Sequence, residues 1–377
     1  MTRSHLAISL LFFACGASTT APPTTPDPAP TVPSATTVTT AASTAPTSVP
    51  ANKPAPVSSV TELASRYVPL PGATGPVTVD YIVFEPRLAR VWVPVGDTGS
   101  ADVYDIATNT FTRVDGFKTA EREAHGKKRM AGPSSAAVGQ GFVYVGNRAT
   151  SEVCAVDEKT LKLGACLKLL AAPDGLAYVA SVKEVWVTTP KGQSLTILDA
   201  SNPHTLKPKS VIKMPGQPEG YALDEAGGVF YTNLEDKNQT LAVDLKTHTI
   251  KATWSAGCAE DGPRGVAVDS LRKIVFVACT SRVQVLDAGQ NGASRCQLDT
   301  GTGVDNIEYV EGTRTLYVAA GKAAQLTLAR LGDQGKLSVL ATGVTAEGAR
   351  NAVADANGNV YVVDSINARL LVFAAPK

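Results

Sequence analysis

Six charged residues and one serine recur along this chain at intervals of 54, 40, 45, 45, 41 and 45 residues: Asp80, Ser134, Asp174, Glu219, Arg264, Asp305 and Arg350. Each is followed at once by Tyr81, Ser135, Gly175, Gly220, Gly265, Asn306 or Asn351 respectively. If the repeats surround an axis, the first set forms a ring of carboxylates and guanidiniums. The glycines beside it let backbones approach closely, and the two asparagines add amide contacts. Such a ring can serve as a set of ion pairs between repeats, because charges leaving water need partners. It can also hold a polar ligand. The candidate ligand-binding set is Asp80, Asp174, Glu219, Arg264, Asp305, Asn306, Arg350 and Asn351, and no residue is assigned a catalytic role.

The elements that must position this column are short strands. Each column residue leads into an apolar run, a turn and a second run: Val91-Trp92-Val93, Phe142-Val143-Tyr144-Val145, Val185-Trp186-Val187-Thr188, Val229-Phe230-Tyr231-Thr232-Asn233, Val275-Phe276-Val277-Ala278, Leu316-Tyr317-Val318-Ala319 and Val360-Tyr361-Val362-Val363. These runs are too short and too β-branched for helices. Repeats of about 40–45 residues with several strands apiece are the signature of propeller blades. The spacing therefore predicts an all-β chain, a single seven-bladed β-propeller with four-stranded blades, and sets the column at the mouth of its central channel. Third strands end in Asp105, Asp157, Asp199, Asp244 and Asp287. A carboxylate there accepts backbone N–H bonds two residues on, which is a turn-forming role. The seventh unit runs out of chain after three strands, whereas residues 65–72 read like the fourth strands of other units, such as residues 294–301. The N-terminal strand is thus expected to complete the last blade and close the ring. Its prolines suit an outermost strand.

With Phe230-Tyr231-Thr232-Asn233, and with Leu-Asp or Val-Asp before Thr- or Lys-containing turns, residues 60–377 resemble the bacterial YVTN-type seven-bladed β-propellers. Val277-Ala278-Cys279 and Ala319-Ala320-Gly321 depart from that motif. The resemblance implies a binding or surface protein. Seven-bladed lactonase-like hydrolases hold a divalent cation on Glu, Asn and Asp at the channel, and Glu219, Asp305, Asn306 and Asp174 supply those residue types. A hydrolase dependent on Ca or Mg is therefore the alternative reading; otherwise no cofactor is expected. Propeller lyases with a channel histidine fit less well, because none of His5, His125, His204 and His248 falls in the column. No Ser/His/Asp arrangement, Walker loop or dinucleotide fingerprint is visible.

The one large break in the period is a charged insertion at residues 118–130, read as a loop emerging beside the channel mouth. Its His125, Lys127, Lys128 and Arg129 suit an acidic partner, or simply solvent. Of the cysteines, Cys154 and Cys166 fall on the third and fourth strands of blade two, and Cys258 and Cys279 on ends that meet in blade five. Both pairs are expected to form disulfides, leaving Cys296 over; buried thiols are the other reading.

Arg3 and His5 precede a short apolar core ending at Phe13, then Ala14-Cys15-Gly16. This segment is a targeting signal. It resembles the bacterial lipobox, which implies lipidation of Cys15; a secretory signal cut a few residues later is the alternative. Residues 16–57 are almost wholly Pro, Thr, Ala, Ser and Val, too poor in large apolar residues to offset the entropy of ordering. They read as a disordered tether reaching roughly 35 Å. Residues 58–377 form the propeller. With 35 Lys+Arg against 34 Asp+Glu the chain carries no field for nucleic acid. The expectation is a monomeric binding or scaffold protein of the bacterial cell envelope, anchored through lipid alone, whose partner is an envelope protein or a small polar ligand.

Overall fold

Short β-branched runs broken every few residues by turn formers leave no room for an α-helix. The computed structural model is accordingly built of strands, with three single 3-10 turns at Pro190–Gly192, Ala259–Asp261 and Ala288–Gln290. It describes residues 60–376, His125 excepted. The signal segment ending at Cys15, the tether at 16–57 and His125 lie outside the described residues.

Seven antiparallel sheets, four strands in each blade, form a seven-bladed propeller. Blade three, for example, runs Leu176–Val179, Glu184–Thr189, Ser194–Asp199 and Lys207–Lys213. Second strands such as Ile274–Cys279 are buried along their whole length, whereas outer strands such as Lys207–Lys213 alternate. A strand covered on both faces must be apolar throughout; one at the rim keeps a wet side. The apolar side chains gather in seven clusters, one at each seam between neighbouring blades. Each blade is therefore stabilised chiefly by its two neighbours.

The ring closes as the sequence predicts. Ser65–Pro69 pairs antiparallel with Arg369–Phe373 and supplies the outer strand of blade seven. Thr61–Leu63, which was not foreseen, adds a fifth strand to blade six by pairing parallel with Leu337–Val344. The N-terminal segment thus fastens two blades at once. Gly343 lets blades six and seven approach here, since a Cβ there would lie 2.7 Å from the Phe373 ring. Leu70 is buried in the seam between blades seven and one, and Arg66 donates to the Tyr104 hydroxyl of blade one at 2.8 Å.

The five strand-ending aspartates all form the expected turns. Asp244 Oδ1 accepts from the backbone N–H of Lys246 and Thr247 at 2.9 and 2.8 Å, and Asp105, Asp157, Asp199 and Asp287 act likewise. Both disulfides are present, Cys154–Cys166 and Cys258–Cys279, with Cys296 a partly buried free thiol. The insertion corrects the reading of a loop. Ala120–Ala124 and Lys127–Ala131 pair as a hairpin, with Gly126 at positive φ in its turn and Lys128 2.9 Å from Glu121. Glu123 faces Lys128 across the strands, which favours the pairing, while Arg122 faces Arg129, which opposes it.

Deleting residues 58–72 strips the outer edges of blades six and seven. Such a variant is expected to lose several kcal/mol of stability or to fail to fold, and a melting temperature equal to that of the intact protein would contradict the closure.

Candidate functional site

In blades four and five the first strands approach their neighbours closely at the axis because glycines follow the column residues. A Cβ on Gly220 would lie 2.4 Å from the Gly265 Cα, and one on Gly265 would lie 2.6 Å from the Asp305 carbonyl oxygen. Backbones of blades four, five and six therefore touch, and the column side chains crowd together above them. Asp80, Asp174 and Asp305 are nearly wholly buried.

Buried carboxylates need cations, and two arginines provide them. Arg148 of blade two bridges Asp80 and Asp174. Arg350 of blade seven lies 2.6 Å from Asp305 and 3.6 Å from Asp80. Asp174, Arg148, Asp80, Arg350 and Asp305 thus form one chain of ion pairs running through blades three, two, one, seven and six. Asn351 Nδ2 donates to the Asp80 carbonyl, and Asn306 Nδ2 to the Asp80 carboxylate at 3.5 Å. Arg264 stands between Glu219 and Asp305 in the order of the column but pairs elsewhere. Its guanidinium turns to Glu235, a partner that lies at the end of the neighbouring blade's second strand. Glu219 consequently has no hydrogen-bond or ion-pair partner among the described residues.

Arg148 and Glu235 escaped the sequence reading because they lie off the column. Both stand four residues after a second-strand aromatic, Tyr144 and Tyr231, where the other blades have Gly96, Pro190, Thr280, Gly321 and Ser365. That second column, with only two charged members, was the available signal.

The carboxylates exceed the cations, and the titration of the groups reflects it. Burial, then repulsion from Asp174, Asp305 and Asp80, pushes the Glu219 carboxyl well above the usual range. Burial also raises Asp174 and Asp305, against the pull of Arg148 and Arg350. The Tyr81 phenol is pushed up by burial and by the same carboxylates. Beneath the charges, Tyr81 and Tyr221 reach towards each other from blades one and four, with ring centroids 5.6 Å apart. Gly175 makes room for this, since a Cβ there would stand 2.5 Å from the Tyr221 ring. The channel opens into a cavity of about 390 Å³ lined by these tyrosines and by Phe84, Asn306, Glu308 and Asn351, among others.

Glu219, Asp305 and Asp174, with Asn306, are the oxygen set named for a divalent cation. Among the described residues, the three carboxylates do not gather their oxygens within 4.8 Å of one another; the one such trio, Glu152, Cys154 and Cys166, contains a disulfide. A Ser–His–carboxylate chain that the sequence did not reveal does occur elsewhere. Ser210 Oγ lies 2.9 Å from His248 Nδ1, and His248 Nε2 lies 3.2 Å from Glu184 Oε2. Glu184 is also held by Trp186 Nε1 and Lys209. Ser210 lies on an outer strand, His248 in a turn and Glu184 at the start of a second strand; the chain lies outside the channel cavity and bridges blades three and four.

No protein-family model matches the sequence, and neither does any curated protein. Solved structures match widely, with 1401 chains in all, so the likeness specifies a fold and not a role. They include a chain of the mitotic checkpoint complex, at TM-score 0.67 and 12% identity, covering 90% of this chain and 100% of that one. Hydrazine synthase of Kuenenia stuttgartiensis matches at 0.66 and 13%, covering 81% and 99%. Virginiamycin B lyase from Staphylococcus aureus matches at 0.64 and 10%, covering 83% and 100%.

Stability should depend on pH in both directions. Burial pushes Asp102 from 3.8 up to about 6, against a hydrogen bond from Ser100, and pushes Glu308 from 4.5 up to about 7. Both bind their protons more tightly folded than unfolded, so their contribution is complete in acid and is lost as pH rises through those values. Asp244, held down at about 2 by its turn N–H groups, contributes above its unfolded value and loses that as pH falls. The melting temperature is expected to peak at about pH 4–5. A value still climbing from pH 5 to 8 would contradict this balance.

Proposed function

We propose that the protein is a binding module tethered at a bacterial cell envelope, whose channel mouth takes a positively charged group from an envelope protein or a small polar ligand. Charge carries this reading. Four carboxylates, Asp80, Asp174, Glu219 and Asp305, face two guanidiniums, Arg148 and Arg350, while Arg264 is committed to Glu235. A buried surplus of one sign is costly unless a partner supplies the other. Burial, and then repulsion from the neighbouring carboxylates, pushes the Glu219 carboxyl up, and a cation beside it offsets that repulsion.

The envelope location rests on the signal segment, on the lipobox-like Cys15 and on the tether at 16–57. Two disulfides suit an oxidising compartment. The YVTN-like motifs favour a surface or scaffold protein of this kind, and the balanced net charge disfavours nucleic acid. The hydrolase alternative, with Ca or Mg on Glu219, Asp305, Asn306 and Asp174, has less support because arginines occupy Asp174 and Asp305. A histidine-to-alanine variant of the virginiamycin B lyase is catalytically inactive. His204 and His248 of this chain lie in turns leading to fourth strands, at the outer rim, and offer no counterpart at the channel.

Labelled oligolysine and oligoaspartate peptides titrated against the full-length protein test the mouth. Oligolysine is expected to bind and to weaken about tenfold or more in Glu219→Gln, roughly 1.4 kcal/mol. Equal binding of the two peptides, or no effect of the substitution, would overturn the reading. For the anchor, Cys15→Ser should move the protein to the soluble fraction; continued membrane association counts against lipidation.

A further inference from the structure

The first strand of every blade has one residue paired directly with the second-strand aromatic. In six blades that residue is Val83, Ala137, Ala177, Ala222, Ala267 or Val353. In blade six it is Glu308, opposite Tyr317. Nothing in the architecture calls for a carboxylate at a position where alanine or valine serves six times. Glu308 lines the channel cavity and has no hydrogen-bond or ion-pair partner among the described residues.

The cavity wall also includes Asn351. Asn351 is 3% exposed, and its Nδ2 is committed to the Asp80 carbonyl, which leaves Oδ1 buried with no donor. A carboxylate and an amide oxygen, both lacking donors, call for a ligand that brings N–H groups and positive charge. The rest of the wall combines Asn306 with apolar and aromatic side chains, among them Val83, Phe84, Ile307, Tyr221 and Tyr309. Aromatic faces attract cations, and a divalent metal would need far more oxygen ligands than this wall supplies. The 390 Å³ volume falls within the range of small-ligand pockets.

We infer that the channel interior is a binding site for a small organic cation, a primary ammonium or guanidinium group on a compact apolar body, with Glu308 as its counter-ion. This rests on the reading that the channel is where the protein binds, and it adds the chemical class of the ligand and the residue that selects it. The charged head meets Glu308 and Asn351 Oδ1 while the apolar body lies along Phe84, Ile307 and Tyr309. Burial already pushes the Glu308 carboxyl up to about 7, as fits a carboxylate deprived of its cation.

Calorimetric titration of the full-length protein with n-hexylammonium, 2-phenylethylammonium and agmatine, each against the neutral probes hexan-1-ol and 2-phenylethanol, tests the assignment. At least one cation is expected to bind about tenfold or more tightly than the alcohols. Glu308→Ala installs the residue that four other blades carry at this position, so it should keep or raise the melting temperature while abolishing the preference for cations. Glu308→Gln, of the same shape, should do the same and covers the case in which the alanine variant folds poorly. Binding of no cation, equal binding of the alcohols, or cation binding undiminished in both variants overturns the inference. Oligolysine titrated against the same variants separates the two sites. If Glu308→Ala loses the small cations and keeps oligolysine, the interior site stands by itself. If Glu219→Gln loses both ligands while Glu308→Ala loses neither, the mouth binds and the interior site falls.

Discussion

The ring of blades closes inside blade seven, where one strand pair joins the two ends of the propeller with no covalent link between them. Where Ser65–Pro69 lies against Arg369–Phe373, the two ends of the propeller are joined by one ladder of hydrogen bonds and by the side chains that ladder brings into contact. Everything nearer the axis depends on that junction staying shut, because a propeller that opens loses the convergence of its first strands. The second attachment, Thr61–Leu63 on blade six, spreads the load over two blades. The same segment therefore completes one sheet, extends another and seals the apolar seam to blade one through Leu70.

The closing blades also carry the electrostatic centre of the molecule. Asp80 belongs to blade one, and its partners come from blades two, six and seven: Arg148, Asn306, Arg350 and Asn351. A carboxylate that is almost fully buried and shared by two guanidiniums fixes their positions, and through them the placement of Asp174 and Asp305. Closure and site are thus coupled physically. The blades outside this chain, four and five, hold the unpartnered Glu219 and Arg264, which pairs with Glu235. Binding capacity resides where pairing is incomplete.

What could be read from the residues was whatever repeats locally. The column from Asp80 to Arg350, the turn aspartates, the closing strand and both disulfides all follow from a period and from spacing within one hairpin. Long-range matters did not follow. Arg148 and Glu235 lie in a different column from their partners, so single-column alignment could not pair them. Thr61–Leu63 is three residues long and joins its sheet in parallel, a contact with no local signature. The meeting of Tyr81 with Tyr221 spans 140 residues and required the ring itself. Residues 118–130 read as a loop by their charge, whereas their backbone pairs as a hairpin with Glu121 and Lys128 in contact across it. Glu308 was visible in principle as the one acidic member of an otherwise Ala and Val set, but only the strand register identifies that set.

The central claim is that departures from sevenfold repetition at the axis make the channel a receptor for cations. Its most direct test is a crystal structure of the protein grown with 2-phenylethylammonium. The predicted result is a nitrogen within hydrogen-bond reach of both the Glu308 carboxylate and Asn351 Oδ1, with the ring along Phe84 and Tyr309. A channel holding only ordered water at saturating ligand, or a ligand seated away from the axis, would contradict it.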